Sequence, residues 1–214
     1  MKLSMLMLLF LAVAGLVVFA QQVVSQEKSG GGKPSDSPAM DKAAMEKARS
    51  EYMKTIAPGE QHKHLDYFVG KWKTVTKMSM GGPGGAASEF AGESDIQWVL
   101  GKRFLVEKHK GEFMGQPYEG MGMTGYDNYR NVLTMTWANT MSTAIQVMTG
   151  TRNPKTGVYT YYGAMDEPDL KVIGRTIKYV TKITDPDQYV FTVFDLHAGD
   201  DYKIFDITYT RQKS

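Results

Sequence analysis

From Gly70 to the C-terminus, apolar and polar side chains alternate, and turn-forming residues interrupt the alternation about every ten positions. A period of two is typical of β-strands that have one face in a core. Many of these segments are rich in Val, Ile, Thr, Tyr and Phe, which favour strands. The pattern predicts ten strands, at residues 71–80, 88–100, 102–110, 120–126, 132–139, 144–151, 158–165, 175–183, 189–196 and 202–211.

These strands should be antiparallel, because no helix-length segment separates consecutive strands and parallel pairs need such a crossover. A series of hairpins this long exceeds what a flat sheet usually carries, and closing the sheet on itself removes both exposed edges. We therefore expect an all-β fold, an antiparallel up-and-down barrel of about ten strands. Such a barrel has room inside for side chains and one small ligand.

Residues 1–20 have the composition of a signal peptide. Lys2 is the single early charge, an apolar run follows, and Val18 and Ala20 are small residues at the positions that a signal peptidase reads. We expect cleavage before Gln21 and an exported protein, periplasmic or secreted. An uncleaved N-terminal helix that anchors the chain is the alternative, since the apolar run is long enough to span a membrane. The chain has no Cys, so its stability must come from its core without disulfides.

Two further segments precede the strands. Residues 21–37 are rich in Gln, Ser, Gly, Lys and Pro, which predicts a flexible linker. Residues 38–69 predict a helical segment, in which Pro58-Gly59 ends a first helix and a shorter second helix follows. We expect the apolar residues of the second helix to lie against the barrel domain, which occupies residues 70–214.

The charge balance excludes some classes of partner. The chain carries 25 basic and 23 acidic side chains, a formal charge of +2. Residues 1–20 contain one of the basic side chains and none of the acidic ones, so the chain without them has a formal charge of +1. No block of Lys or Arg occurs, whereas nucleic-acid binding needs a dense basic face. We expect no nucleic-acid partner and no membrane contact beyond the N-terminal segment, and the pattern leaves a homo-oligomer open.

The two ends of the predicted barrel carry complementary residues. Trp72 lies at the start of the first strand and Arg211 near the end of the last. Closure makes these strands neighbours, so the guanidinium can lie over an indole that points inward. Such a contact is worth about 1–2 kcal/mol when desolvated. We predict a structural latch between Trp72 and Arg211, with an ordinary core Trp and a solvated Arg as the alternative.

The same residues carry a resemblance to known barrels. Gly70-Lys71-Trp72 after a short helix, with Arg211 in the final strand, resembles the signature of the calycins, the lipocalin and fatty-acid-binding barrels. A longer set of motifs is similar to a mainly bacterial family, the domain of unknown function numbered 1579. Those motifs are Pro58-Gly59-Glu60, His62-Lys63, Val69-Gly70-Lys71-Trp72, Leu100-Gly101-Lys102-Arg103-Phe104-Leu105, Met114-Gly115, Gly125-Tyr126-Asp127-Asn128, Thr136-Trp137, Met141-Ser142-Thr143 and Ile207-Thr208-Tyr209-Thr210-Arg211.

This family has no established activity, so the resemblance implies the barrel architecture and no chemistry. Lys102 stands where the resemblance implies a second glycine, a departure that affects the geometry of one turn.

The four histidines do not form a metal-binding pattern. His62 and His64 lie two apart on a predicted helix, whereas a helical metal pair needs a spacing of about three or four. With no Cys and no spaced His/Asp/Glu triplet, we expect no metal site and no cofactor. Some calycin-like barrels bind haem through one His, for which His109 or His197 would be the candidates. We favour rim or surface positions for both.

Little in the sequence points to catalysis. Ser142 lies in a hairpin, and no Gly-x-Ser-x-Gly turn presents a nucleophile. A charged group that strand parity buries would favour an enzyme. The strand at 102–110 is the place to look for one, because Arg103, Glu107 and His109 share a face with Leu105.

Methionine suggests a pocket. The chain has 15 Met, many of them in the predicted strands, and Met adapts to apolar ligands of varied shape. Filling an irregular core is the alternative role. The ligand-binding residues that we predict are Met78, Met123, Tyr126, Trp137, Tyr162, Arg103 and His109.

The sequence therefore favours an exported protein that binds a small apolar ligand inside a β-barrel, and an enzyme is the less favoured reading. An enzyme in the same cavity would use Tyr126, Asp127, Arg103 or His109 as acid or base. A barrel filled solidly with side chains, serving as a structural or interaction module, is the third hypothesis.

Overall fold

The computed structural model describes residues 41–79, 85–168, 171–200 and 202–213, and the predicted signal peptide and linker lie outside these residues. Among these residues helix α1 is followed by the single-turn helix α2 and a 3-10 turn, none of them long and apolar enough to cross a membrane. Their bounds are Lys42–Ile56, Glu60–Lys63 and Asp66–Phe68. The described strands are β1 Gly70–Ser79, β2 Ala87–Val99, β3 Phe104–Phe113, β4 Gln116–Asp127, β5 Val132–Asn139, β6 Gln146–Arg152, β7 Tyr159–Glu167, β8 Val172–Asp185, β9 Gln188–Asp195 and β10 Lys203–Arg211.

The described strands form a closed barrel. Each strand pairs with the next one in the sequence, and β1 also pairs with β10. The seam between β1 and β10 is antiparallel and extends from Trp72 opposite Arg211 to Met78 opposite Phe205. The predicted antiparallel barrel is therefore confirmed.

The β3–β4 hairpin is longer than the sequence pattern predicts. The two strands continue past the predicted limits at 110 and 120 and meet at a two-residue turn, Met114-Gly115. Both turn residues have positive φ, 52° and 75°, which suits the tight turns that join twisted antiparallel strands. Gly111 and Pro117 interrupt the sequence signal here, since both residue types are rare in strands.

The residues just before β1 close one end of the barrel. Leu65 is fully buried and Phe68 is 9% exposed, and both belong to the apolar core. Trp72 is also fully buried and donates its indole N–H to the Phe68 carbonyl at 2.8 Å. The Tyr159 hydroxyl donates to the His64 carbonyl at 2.9 Å. Hydrogen bonds from two strands thus hold this segment in the barrel end.

Helix α1 contributes no buried side chain. The carbonyls of its last two residues and of the following Ala57 accept hydrogen bonds from residues between the strands. Asn128 Nδ2 donates to Thr55 and Ala57 at 2.9 and 2.7 Å, and Arg103 Nε donates to Ile56 at 3.1 Å. These bonds satisfy carbonyls that a helix end otherwise leaves without partners. The end of α1 is therefore held through its backbone rather than through an apolar face.

Arg211 joins the seam to the closed end of the barrel. Its guanidinium carbon lies 4.1 Å from the ring centre of Trp72. The two terminal nitrogens donate to the carbonyls of Val69 and Tyr67 at 2.8 and 2.6 Å. Nε lies 3.2 Å from Asp187 Oδ1, in the turn between β8 and β9. One side chain thus connects the first strand, the last strand and the segment that precedes the barrel.

We predict that Arg211→Met lowers the free energy of unfolding by about 2–4 kcal/mol, because the carbonyls lose their donors and the ring loses its cation. Urea denaturation measures the change. The control is Lys213→Met, which removes a cation 86% exposed and 3.9 Å from Asp187. The control substitution should lower the free energy of unfolding by less than about 1 kcal/mol. Equal losses in the two variants would contradict the latch.

Candidate functional site

The barrel encloses a cavity of about 440 Å³. Leu65 and Phe68 bound it at the closed end, whereas the exposed residues Glu112 and Met141 lie where the lining reaches solvent at the other end. Most of the wall is apolar or aromatic. Typical wall residues are Met78, Leu105, Met135, Met148, Phe191 and Ile207.

Two glycines of β4 make room for an indole on the cavity wall. A Cβ atom at Gly120 would lie 2.2 Å from Trp137 Cζ2, and one at Gly122 would lie 2.8 Å from Trp137 Cε3. Side chains at these positions would collide with the ring, so the alternation of Gly in this strand positions Trp137. The indole N–H donates to the Tyr118 hydroxyl at 3.2 Å.

A polar cluster interrupts the apolar wall. Ser94 Oγ on β2 donates to Glu107 Oε1 on β3 at 2.6 Å and lies 2.9 Å from His109 Nδ1. The Tyr209 hydroxyl on β10 donates to the same Glu107 oxygen at 3.1 Å. Of these residues Glu107, His109 and Tyr209 line the cavity. The cluster therefore offers a carboxyl group, an imidazole and a phenol to a ligand.

Glu107 is a carboxyl group inside a largely apolar container. Protein surrounds its side chain, and the surface that stays accessible faces the cavity. Burial raises the pKa of Glu107 above 4.5, and the hydrogen bonds from Ser94 and Tyr209 oppose that shift. Burial dominates because no cation forms an ion pair with Glu107 among the residues described.

His109 is held in a close-fitting position beside this carboxyl group. A Cβ atom at Gly92 would lie 2.8 Å from His109 Nε2 and 2.8 Å from Thr74 Oγ1, so the glycine leaves the space that the imidazole uses. Burial lowers the pKa of His109 below 6.5, which keeps the ring neutral. Within the described part of the chain, no three His, Cys, Asp or Glu side chains gather as a metal site would require.

Two hydroxyl groups on the cavity wall have unused hydrogen-bonding capacity. Thr74 Oγ1 and the Tyr179 hydroxyl are buried and have no partner among the described residues. Burial also raises the pKa of Tyr179 to about 12, so this hydroxyl stays protonated. An unpaired buried hydroxyl costs about 1–3 kcal/mol.

The structure brings some of the predicted ligand-binding residues to the cavity. Met78, Trp137 and His109 all contribute to its wall. They come from β1, β5 and β3, and alternation along each strand directs their side chains inward.

Met123 and Tyr162 do not reach the cavity. Both lie on the outer face of the barrel, where they are 40% and 49% exposed. The inner face of β4 at this point is occupied by the Trp137 ring, so the neighbouring Met residues point outward. On β7 the inward position belongs to Tyr161, which is 4% exposed.

Arg103 and Tyr126 lie apart from the cavity wall. Arg103 precedes β3 in a turn in which Lys102 has a φ of 61°, a left-handed conformation that favours glycine. Its guanidinium contacts the end of α1 and the Leu100 carbonyl instead of the interior. Tyr126 packs edge-on against His62 with 6.0 Å between the ring centres.

Glu107, Ser94 and Tyr209 are not among the ligand-binding residues that the sequence predicts. For Glu107 the signal was present, because it shares the face of Leu105 and His109. Ser94 and Tyr209 carried no such signal, since their role depends on side chains of β2, β3 and β10 meeting across the interior.

We predict that the free energy of unfolding of the native chain falls, relative to that of Glu107→Gln, as the pH rises above 4.5. As the pH rises, this carboxyl group ionises in the unfolded chain at a lower pH than in the folded chain. The stability that Glu107 contributes is therefore complete below pH 4.5 and is lost as the pH rises through the pKa of the folded state. The difference in the free energy of unfolding between the two proteins changes by at most about 1.4 kcal/mol per pH unit, the limit for one proton. Urea denaturation at a series of pH values gives both curves, and parallel curves would contradict the buried carboxyl group.

Solved structures of other proteins resemble this barrel. Rv2717c from M. tuberculosis aligns with a TM-score of 0.53 at 14% identity, covering 73% of this chain and 100% of its own. The S-type phycobiliprotein lyase CPES from Guillardia theta aligns with a TM-score of 0.50 at 11% identity, covering 77% of this chain and 98% of its own. At these identities the likeness shows a shared fold alone.

Sequence comparison gives the family. A search of curated protein sequences finds no match. The model of a family described as "Protein of unknown function (DUF1579)" matches residues 57–211, which include the whole barrel. Because this match covers well over half of the chain, the protein belongs to the DUF1579 family.

Proposed function

We propose that this protein binds a small, mainly apolar molecule in the cavity of its barrel. The observation that carries the proposal is the cavity itself, about 440 Å³ with a largely apolar wall and a few convergent polar groups. Small-molecule sites usually measure about 300–1,000 Å³ and have this kind of lining. A barrel that served only as a filled structural module would not need such a space.

The wall is suited to a guest of adaptable shape. Met78, Met135 and Met148 come from three different strands, and Met side chains change conformation at low cost. Trp137 and Tyr161 add rigid aromatic surface. We expect the guest to contact these residues and to place its polar group near Glu107 and His109.

An enzyme in the same cavity is the second candidate. One barrel of similar fold is named a phycobiliprotein lyase, and His109 lies 2.9 Å from the hydroxyl of Ser94. Against catalysis by Ser94, its hydroxyl does not line the cavity and its side chain is 3% exposed. Tyr126, Asp127 and Arg103 are also absent from the wall. Binding therefore needs fewer assumptions than a reaction does.

Titration with prodan tests the proposal, because this uncharged fluorophore shifts its emission to the blue in apolar surroundings. We predict a blue shift and saturable binding to the native chain. Thr124→Trp should weaken binding at least about tenfold, or about 1.4 kcal/mol, because it places an indole in the space lined by Thr124. The control Met123→Trp adds the same group to the outer face of the same strand and should retain native affinity.

Absence of saturable binding to the native chain would contradict the proposal. An equal loss of prodan affinity in Thr124→Trp and Met123→Trp would also contradict the proposal, because such a result would place the fluorophore outside the barrel.

We also propose export, supported by the charge and apolar pattern of residues 1–20. Expression of the full chain in a bacterium should yield a protein whose N-terminus is Gln21. Mass spectrometry of the periplasmic and membrane fractions measures this. A full-length chain in the membrane fraction would support the uncleaved anchor instead.

A further inference from the structure

The charges on the cavity wall restrict the chemistry of a guest. Glu107 and Glu112 are acidic, His109 is the one basic side chain on the described wall, and none of the wall residues described is Lys or Arg. A fatty acid would bring a second carboxylate close to a buried carboxyl group with no cation to pair with it. Desolvating an anion under these conditions is strongly unfavourable.

The nearby arginines are already engaged. Arg175 lies 2.6 Å from Glu167 Oε2 and 3.1 Å from Asp195 Oδ2, so two carboxylates neutralise its charge. Arg211 is held at the closed end by Trp72 and by backbone carbonyls. Neither guanidinium lines the cavity, and neither offers a free site for an anion.

Glu107, by contrast, retains an unused acceptor. Ser94 and Tyr209 both donate to Oε1, and Oε2 accepts no hydrogen bond from the residues described. Tyr118 and Trp137, which also line the cavity, pack edge-on against the neighbouring His109, with 5.6 and 6.4 Å between the ring centres. A buried carboxyl oxygen that still accepts is a suitable partner for an ammonium group, because charge-assisted hydrogen bonds are the strong ones.

We propose that the ligand carries a protonated amine that pairs with the carboxylate of Glu107, an inference that rests on the proposed binding in this cavity. The ammonium group supplies a counter-charge that none of the described side chains provides, and its N–H groups donate to Oε2. The apolar remainder of the ligand occupies the Met-rich wall. Any proton that the carboxyl group holds in the empty cavity passes to solvent when the pair forms.

The titratable groups around Glu107 do not compete for this role. They are His109 on the same strand, Tyr118 on β4, Tyr189 on β9 and Tyr209 on β10. Burial lowers the pKa of the histidine and raises the pKa of the tyrosines, so all four are neutral at neutral pH. Among these groups, Glu107 is therefore the one that offers a negative charge to the ammonium group.

The cluster also provides an internal reporter of this charge. Ser94 has one hydroxyl proton, and it donates this proton in a hydrogen bond to an ionised Glu107. Ser94 Oγ then accepts from His109, which places the imidazole proton on Nδ1 and leaves Nε2 bare. A protonated Glu107 that donates to Ser94 reverses the chain and places the imidazole proton on Nε2. Nitrogen NMR shifts of His109 distinguish the two tautomers.

Competition against bound prodan at neutral pH tests the inference with three ligands of one chain length: decylamine, decanol and decanoic acid. In the native chain we expect decylamine to displace prodan at a concentration at least about tenfold lower than decanol, and decanoic acid to be the weakest. Glu107→Gln should remove the preference for the amine. The control Glu119→Gln removes an exposed carboxylate of β4 and should keep it.

The outcomes separate this inference from the binding proposal. If decylamine displaces prodan from the native chain no more strongly than decanol does, the amine inference is overturned while prodan binding stands. The amine inference is also overturned if His109 in the decylamine complex carries its proton on Nε2. The comparison of amine with alcohol uses the native chain alone, so it remains decisive if Glu107→Gln fails to fold. Failure of prodan to bind at all overturns the binding proposal itself.

Discussion

The hydrogen-bonded seam between β1 and β10 is the constraint on which the rest of this structure depends. Once the first strand pairs with the last, every described strand has two neighbours, and alternate side chains must point into a common interior. Trp72 and Arg211 lie opposite each other at one end of the seam. Their stacking ties the closure to the segment that blocks the barrel end, so the container has a closed end and a wall before any ligand is considered.

Small residues beside the seam allow the polar cluster to form. Glu107 on β3 accepts a hydrogen bond from Tyr209 on β10, although β2 and β1 lie between these strands. The inward residues in between include Gly92 and Thr74, which pair directly across β1 and β2. Longer side chains there would fill the space that the cluster uses. The same fold that encloses an apolar cavity thus buries the Glu107 carboxyl group in its wall, and no residue that the structure describes forms an ion pair with it.

The sequence predicts the architecture better than the site. Alternation with a period of two and recurrent turns were sufficient for the antiparallel closed barrel, because each strand carries that signal locally. Parity also placed Glu107 on the face of Leu105 and His109. The β3–β4 hairpin was less predictable, since Gly111 and Pro117 hide the strand pattern near its turn.

The sequence pattern does not identify the cavity-wall residues of a strand when both faces of that strand are apolar. In Gly120-Met121-Gly122-Met123, alternation does not say whether Met or Gly points inward. The Trp137 ring on the neighbouring strand decides it by occupying the space above the glycines. Tyr161 and Tyr162 pose the same problem on β7, and the contacts of Ser94 and Tyr209 depend on three strands meeting. These are properties of side-chain packing between strands, which a single sequence does not contain.

The most direct test of the hollow barrel is NMR of the protein with isotope-labelled methionine methyl groups during a titration with prodan. Met135 and Met148 lie on the cavity wall, whereas Met121 and Met123 are 56% and 40% exposed on the outer face. We expect the signals of the inner pair to shift with saturation and those of the outer pair to stay in place. Shifts confined to the outer pair would show that apolar molecules bind the surface of the barrel and would contradict binding inside it.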